Sequence, residues 1–260
     1  MRLFVISDPH SYYTLTREAL AKAGFFAPGE DGKLVVLGDL LDRGGEPCEM
    51  VEFMLMLKRQ GRLIYIHGNH EWLLVEMLSE LARGELRWHH HINGTWETAK
   101  RLSGLPDGVA EGYPEEVIRG VRASRFYTEL LPFGENYYET NRYIFTHGFI
   151  PLLVEGARPM VKYSYREDWR EAEARQWRDA SWLNGMEMAC YYHANESGKT
   201  IVCGHYHTSY GHSRIHGVCN ERGEDAIYTP FYDEGIIAID ACTKVSGIVN
   251  CIVIEDEPLK

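Results

Sequence analysis

Five short apolar runs in this chain each stop at a residue able to bind a metal ion, and that recurrence restricts the available folds more than any other feature. LFVIS (3–7) leads into Asp8-Pro9-His10, and LVVLG (34–38) leads into Asp39. LIYIHG (63–68) precedes Asn69-His70-Glu71, YIFT (143–146) precedes His147-Gly148, and TIVC (200–203) precedes Gly204-His205-Tyr206-His207. Each run is rich in β-branched residues and bounded by glycine or polar residues, as buried strands are. GIIAID (235–240) and VNCIVIE (249–255) read as two further strands. Between the first strands, residues 15–25, 48–61 and 71–84 carry apolar positions at helical spacing and stop at Gly24, Gly61 and Gly84. Strand, helix, strand, helix predicts an α/β layered core. In open α/β sheets the site lies outside the carboxyl ends of the strands, so these endings are expected on one rim.

A single Asp or His after a strand is ordinarily a turn residue or a helix cap. Five endings of metal-ligand type in one chain change that weighing. Asp, His and Asn without Cys suit manganese, iron, zinc, nickel or cobalt rather than a thiolate zinc site. A carboxylate can bridge two ions, and two metals about 3.5–4 Å apart stabilise both the attacking and the leaving oxygen in a phosphoryl displacement.

The remaining composition sets limits. The 260 residues, 45% of them hydrophobic, suffice for one large core, and no Pro/Gly/Ser linker or internal repeat divides them. A single domain over 1–260 is expected. The formal net charge of −11 argues against a nucleic-acid polymer as partner, because phosphate backbones call for clustered Lys and Arg. It leaves open a small phosphorylated substrate held by a few local cations. The six cysteines are scattered, with no Cys-x-x-Cys pair, which predicts reduced thiols and a cytoplasmic setting. The opening residues lack a signal-peptide layout and no apolar run approaches ~18 residues, so no membrane association is expected.

Together, "SDPHS" (7–11), "GDLLDRG" (38–44), "GNHE" (68–71), "HGFIP" (147–151) and "GHYH" (204–207) resemble the motif series of the calcineurin-like metallophosphoesterases, in order. The closest resemblance is to the phosphoprotein phosphatase branch, which includes bacterial serine/threonine protein phosphatases and symmetrical diadenosine tetraphosphate hydrolases. The resemblance implies a β-sandwich of mixed sheets flanked by helices, in α-β-β-α layers, with cap-like insertions at about 84–140 and 152–199. It implies two divalent metal ions, manganese foremost. Asp8, His10 and Asp39 would hold the first, and Asp39, Asn69, His147 and His205 the second. A hydroxide between the ions would attack phosphorus in line. His70 would protonate the leaving oxygen, Asp42 would pair with His70, and Arg43 would fork onto the substrate phosphate. Physical chemistry agrees on the last three: a neighbouring carboxylate favours imidazolium, and a planar guanidinium matches a phosphoryl group.

The chain departs from the family pattern at several places. Ser7 and Ser11 replace small glycines, and Phe149 replaces a glycine after His147, which adds bulk near the site. His207, two residues beyond His205, is read as an extra ligand on the first metal. The family's second phosphate-binding arginine is read as Arg178; a shifted alignment puts Asn184 there instead. His89-His90-His91 is read as a solvated or helix-terminal cluster and not as a metal tract. His212 and His216 are not read as ligands. The aromatic segments 163–177 and 190–198 are read as helical core or cap packing, and 220–235 as a surface loop.

The function expected is hydrolysis of phosphomonoesters or phosphoanhydrides. Substrates of the matching kind are phosphorylated small molecules, dinucleoside polyphosphates and phosphoproteins. The alternatives are a phosphodiesterase or nuclease of the same superfamily, and a binding scaffold that keeps the fold without catalysis.

Overall fold

The computed structural model describes residues 1–106, 108, 110–157 and 160–259. Its first sheet takes β1 (Arg2–Ile6), β2 (Lys33–Leu37), β3 (Leu63–Ile66) and the last strand of the chain, Cys251–Glu255, in the order last–β1–β2–β3. β1, β2 and β3 run parallel, and the last strand is antiparallel to β1. The crossovers are α1 (Tyr13–Ala23) and α2 (Pro47–Arg59), and α3 (Asn69–Leu81) follows β3.

The second sheet is built around β5 (Tyr143–Phe145), β8 (Thr200–Cys203) and β10 (Ile236–Ala238), which are parallel. It is edged by antiparallel β4 (Tyr138–Glu139) and β9 (Phe231–Asp233). A separate antiparallel hairpin pairs β6 (Leu153–Ala157) with β7 (Met160–Ser164). The strand from Cys251 to Glu255 is β11. The mixed sheets flanked by helices match the fold that the motif resemblance implies.

Side-chain alternation explains why the strands read as continuous apolar runs. Phe4, Ile6, Leu34 and Val36 face a core shared with α1, α2 and α3. Leu3, Val5, Val35 and Leu37 face the opposite way and meet Phe145 and Val202 of the second sheet and Ile239, just past β10. The far side of that sheet, with Ile144, Ile201 and Ile236, packs under Trp169, Trp177, Met186 and Met188. The layers are therefore helix, sheet, sheet, helix, and both sheets are buried on both faces.

The segment 84–140 contributes α4 (Trp88–Asn93), α5 (Thr95–Ser103) and α6 (Pro114–Ala123). The segment 152–199 contributes the hairpin, α7 (Ala174–Ala180) and α8 (Gly185–Cys190). Two expectations change here. The aromatic segment 163–177 is only partly helical, because its start is strand β7 and α7 begins at Ala174. Phe149 does not stand at the site mouth; it is 1% exposed and packs in the core beneath the second sheet. No helix among the described residues is long and apolar enough to cross a membrane.

Candidate active site

The carboxyl ends of β1, β2, β3, β5 and β8 deliver Asp8, His10, Asp39, Asn69, His70, His147 and His205 to one place. The chain must turn sharply as it leaves each strand. Asp8, His10, Ser11, Asp39, Asp42, Arg43 and His205 all adopt positive φ, from 45° to 76°. Backbone strain of this kind costs on the order of 1–3 kcal/mol per residue and concentrates at functional sites. Gly204 permits the approach of two strand ends, since a Cβ there would overlap Ser7 Oγ and Asp8 Oδ2.

Asp39 is the hub. His147 Nε2 lies 3.3 Å from its Oδ1, and His10 Nε2 and His70 Nε2 lie 3.8 and 3.7 Å from its Oδ2. His70 N also donates to Oδ1 at 2.9 Å. Two groups of donor atoms, each close enough to grip a single cation, share this residue: His10, Asp39 and His70, and Asp39, His147 and His205. Burial resists ionisation of Asp39, but the imidazoles of His147, His70, His10 and His205 outweigh it and hold the carboxyl well below its usual range.

The tautomers are set for metal ligation. His10 Nδ1 donates to Leu41 O at 3.0 Å, which leaves Nε2 as the lone-pair atom, buried and without a hydrogen-bond partner. His147 Nδ1 donates to Leu37 O at 2.7 Å. Its Nε2 faces Asn69 Oδ1 at 2.9 Å and Asp39 Oδ1 at 3.3 Å. Metal-ligating histidines characteristically donate their other ring N–H in this way. Asp8 adds to the case. Burial and the neighbouring Asp39 push its carboxyl up to about 8, as expected of buried acids set close together. Its Oδ2 accepts from Ser7 Oγ and from His205 N. Burial and His147 lower the His205 pKa to about 3, so that imidazole is neutral and able to ligate. Each of the two groups is of a kind that could hold a divalent cation.

His70 has a second environment. Its Nδ1 donates to Asp42 Oδ2 at 2.7 Å, and Thr95 Oγ1 donates to the same oxygen at 2.7 Å. Burial disfavours the imidazolium, but Asp39 and the bond to Asp42 prevail and raise the pKa. Arg43 Nη2 rests 3.2 Å from His70 Nε2. Gly94, between α4 and α5, closes over Arg43: at φ 83° it brings its α-carbon so near that a Cβ would sit 2.6 Å from Arg43 N.

Two of the remaining candidates lie apart from these groups. His207 is outside both: its Nδ1 donates to Ser209 Oγ at 2.8 Å, because that hydroxyl donates onward to Glu221 O, and its Nε2 is 3.7 Å from Glu221. Arg178 is exposed, with its guanidinium over Trp72 at 5.3 Å, in a cleft that Asn69 also lines. Asn184, the alternative to Arg178, is buried and caps α8 by accepting from Glu187 N. His212 and His216 bond to Thr229 O and to Asp233, beside Phe231.

The motif reading left several residues without a role. Glu71 is buried and binds three backbone N–H groups at the rim, those of Gly68, Asp39 and Leu40. The signal was present, since Glu71 stands at the N3 position of α3, where a capping-box acid belongs. Thr95 had no sequence signal. His90, expected in a solvated cluster, is fully buried and bonds Glu80 at 3.0 Å, although it does sit in the last turn of α4. Asp240, just past β10, is a buried acid pushed well up by burial and by Asp8.

A family model described as calcineurin-like phosphoesterase matches residues 1–228. Shewanella-like protein phosphatase 2 of Arabidopsis thaliana is 35% identical over 85 residues, which are 29% of this chain and 22% of that protein. The match thus spans about a fifth of that relative's length. The fold is similar to a Saccharomyces cerevisiae protein serine/threonine phosphatase described as similar to human phosphatase PP5. That comparison gives a TM-score of 0.57 and 13% identity, covering 100% of this chain and 81% of that one. It is also similar to the cold-active protein-tyrosine phosphatase of a psychrophilic Shewanella species, with a TM-score of 0.50 and 16% identity over 98% and 75% of the two chains.

Proposed function

The chain belongs to the calcineurin-like phosphoesterase family, and we propose that it hydrolyses phosphomonoesters or phosphoanhydrides at a two-metal centre. The observation that carries this reading is the pair of donor groups sharing Asp39, one of which contains His70, a histidine also bonded to its own carboxylate, Asp42. Asp8, His10 and Asp39 would hold one ion, and Asp39, Asn69, His147 and His205 the other, with manganese the favoured metal. Bound there, such ions activate water and neutralise phosphoryl charge.

The protein's own groups perform the rest. Arg43 grips the substrate phosphoryl through a planar cationic fork. In the free protein that guanidinium lies against His70 Nε2, so substrate phosphate draws it off and frees Nε2 to face the leaving oxygen. Water oxygen bonds to phosphorus, and the P–O bond to the leaving group breaks with its electron pair on the leaving oxygen. His70 Nε2 supplies the proton to that oxygen, and the proton shed by water passes to solvent. Asp42, itself held by Thr95, keeps His70 oriented and charged. The match to a protein phosphatase supports phosphoproteins among the substrates, and the same chemistry serves dinucleoside polyphosphates and small phosphorylated molecules.

The test is kcat/KM for a phosphomonoester and for its matched diester, with Mn²⁺ present, in wild type and in Arg43→Ala. A dianionic phosphoryl group gains more from the fork than a singly charged diester does. The monoester is therefore preferred, and the preference falls in the variant. A preference for the diester that ignores Arg43 would move the protein to the phosphodiesterases.

A further inference from the structure

α4 is fixed to the protein by a polar pair. A surface helix ordinarily buries an apolar stripe, but of the six residues of α4 only His90 is buried, while Trp88 and Ile92 stand 71% and 61% exposed. His90 Nε2 donates to Glu80 Oε2 of α3 at 3.0 Å, and both side chains are sealed from solvent. Burial and the neighbouring His89 lower the His90 pKa, so the imidazole is neutral, with its proton on Nε2 and its buried Nδ1 without a partner. Arg87, which precedes α4, meets the other oxygen of Glu80 at 3.1 Å.

The far end of α4 lies against the candidate active site. Gly94 ends the helix: its N–H bonds His91 O, and its own carbonyl accepts from Thr98 N of α5. A Cβ on Gly94 would lie 2.6 Å from Arg43 N and 3.1 Å from Arg43 Cα, so its bare α-carbon presses on the backbone where Asp42 joins Arg43. Those two residues have φ of 76° and 58°, a strained turn of the kind that persists only where its surroundings hold it. Thr95, next in the chain, donates to Asp42 Oδ2, the oxygen that also accepts from His70 Nδ1. On one side of Gly94, α5 has apolar anchors in Trp96 and Ala99. On the other side, α4 has His90.

We propose that Glu80 and His90 are positioning residues for the hydrolase: their buried bond fixes the end of α4 and, through Gly94 and Thr95, holds the Asp42–Arg43 turn that orients His70. Neither group touches substrate. The assignment rests on the hydrolase reading above, and it acts through the acid and the phosphate clamp without involving the metal ligands.

The test compares His90→Leu, which removes the donor, with His90→Gln, whose amide nitrogen reaches about as far as the imidazole Nε2. Two signals are read on the full chain. One is kcat for phenyl phosphate and for nitrophenyl phosphate with Mn²⁺. The other is the proton resonance of His70 Nδ1–H in metal-free protein, identified by its loss in His70→Asn. His90→Leu lowers kcat on phenyl phosphate by roughly 10–100-fold, the scale of a small displacement at a reacting group. It lowers kcat less on nitrophenyl phosphate, whose leaving group needs little protonation, and it shifts or broadens the His70 resonance. His90→Gln restores most of both signals, and Mn²⁺ content stays at the wild-type level in each variant. Glu80→Gln, which leaves no buried charge unpaired, carries the test should His90→Leu not fold, and moves both signals the same way by less. Equal loss on the two esters with the His70 resonance in place, a His90→Gln no better than His90→Leu, or loss of bound Mn²⁺ overturns the assignment. A wild-type protein inactive on both esters would defeat the hydrolase reading, and the resonance would still decide whether the Glu80–His90 bond sets the contact of Asp42 with His70.

Discussion

Glu71→Gln probes how the rim is held in place. The carboxylate accepts from Gly68 N at 2.6 Å and Asp39 N at 3.1 Å through Oε2, and from Leu40 N at 3.0 Å through Oε1. Glutamine keeps the shape but has only one acceptor atom. With its oxygen in the Oε2 position, the amide hydrogens confront the Leu40 N–H. Three hydrogen bonds to a charged group, about 1.5–3 kcal/mol each, become two neutral ones at about 0.5–1.5 kcal/mol each, with one buried donor left unmet. The net loss is about 3.5–6 kcal/mol before the cost of the unmet donor, a large share of the ~5–15 kcal/mol that holds a domain folded. In urea this lowers the unfolding midpoint by about 1–3 M at an unchanged slope. The same bonds fix the turn that carries Asp39, so metal affinity drops by roughly 10–100-fold, the usual cost of losing a group that orients a ligand. A midpoint within about 0.3 M of wild type, with metal affinity unaltered, would refute the role assigned to Glu71.

Other expectations follow from the same geometry. His70→Asn slows turnover by roughly 10²–10⁴, as for loss of a general acid. The deficit shrinks on nitrophenyl phosphate, whose leaving group needs little protonation, and an equal loss on good and poor leaving groups removes His70 from the acid role. Asp256 ties the end of β11 to Thr140 Oγ1, Arg142 N and Arg142 Nε. Burial opposes its ionisation, but those donors bring its pKa down to about 2. A carboxyl depressed in the folded state contributes stability that is complete above its unfolded value of about 4 and lost as pH falls towards the folded value. Asp256→Asn therefore reduces the drop in Tm between neutral pH and that acid window, and a variant with an unchanged acid limb contradicts the assignment.

The residues that specify the centre stand at strand ends, and strand ends are what a single sequence displays best. LVVLG and LIYIHG are apolar because β2 and β3 are covered on both faces, so the polar residue that follows each is conspicuous. The helices at 13–23, 47–59 and 69–81 were legible for the same reason, since one face of each repeats at helical spacing and a glycine or loop ends it. What escaped depends on contacts between residues distant in sequence. Thr95 reaches Asp42 across 53 positions, and nothing around it differs from an ordinary helix start. His90 looks solvated in a tract of three histidines until α4 packs it on Glu80. Phe149 follows a motif histidine, yet the chain has already turned into the second core. The hairpin of β6 and β7 was hidden although β7 alternates between exposed and half-buried residues, because its strands are only five residues long and the end of β7 falls in the segment 163–177 whose aromatics repeat at helical spacing.

Metal content against the state of Asp39 tests the central claim most directly. Both donor groups depend on that one carboxylate, so elemental analysis of Mn²⁺-equilibrated protein is expected to give two ions per chain in wild type. Asp39→Asn, which preserves shape and removes the bridging charge, is expected to lose most of both ions together with phosphomonoester hydrolysis. Occupancy retained at the wild-type level in Asp39→Asn, or full hydrolysis by metal-stripped protein, would contradict a two-metal centre built on Asp39.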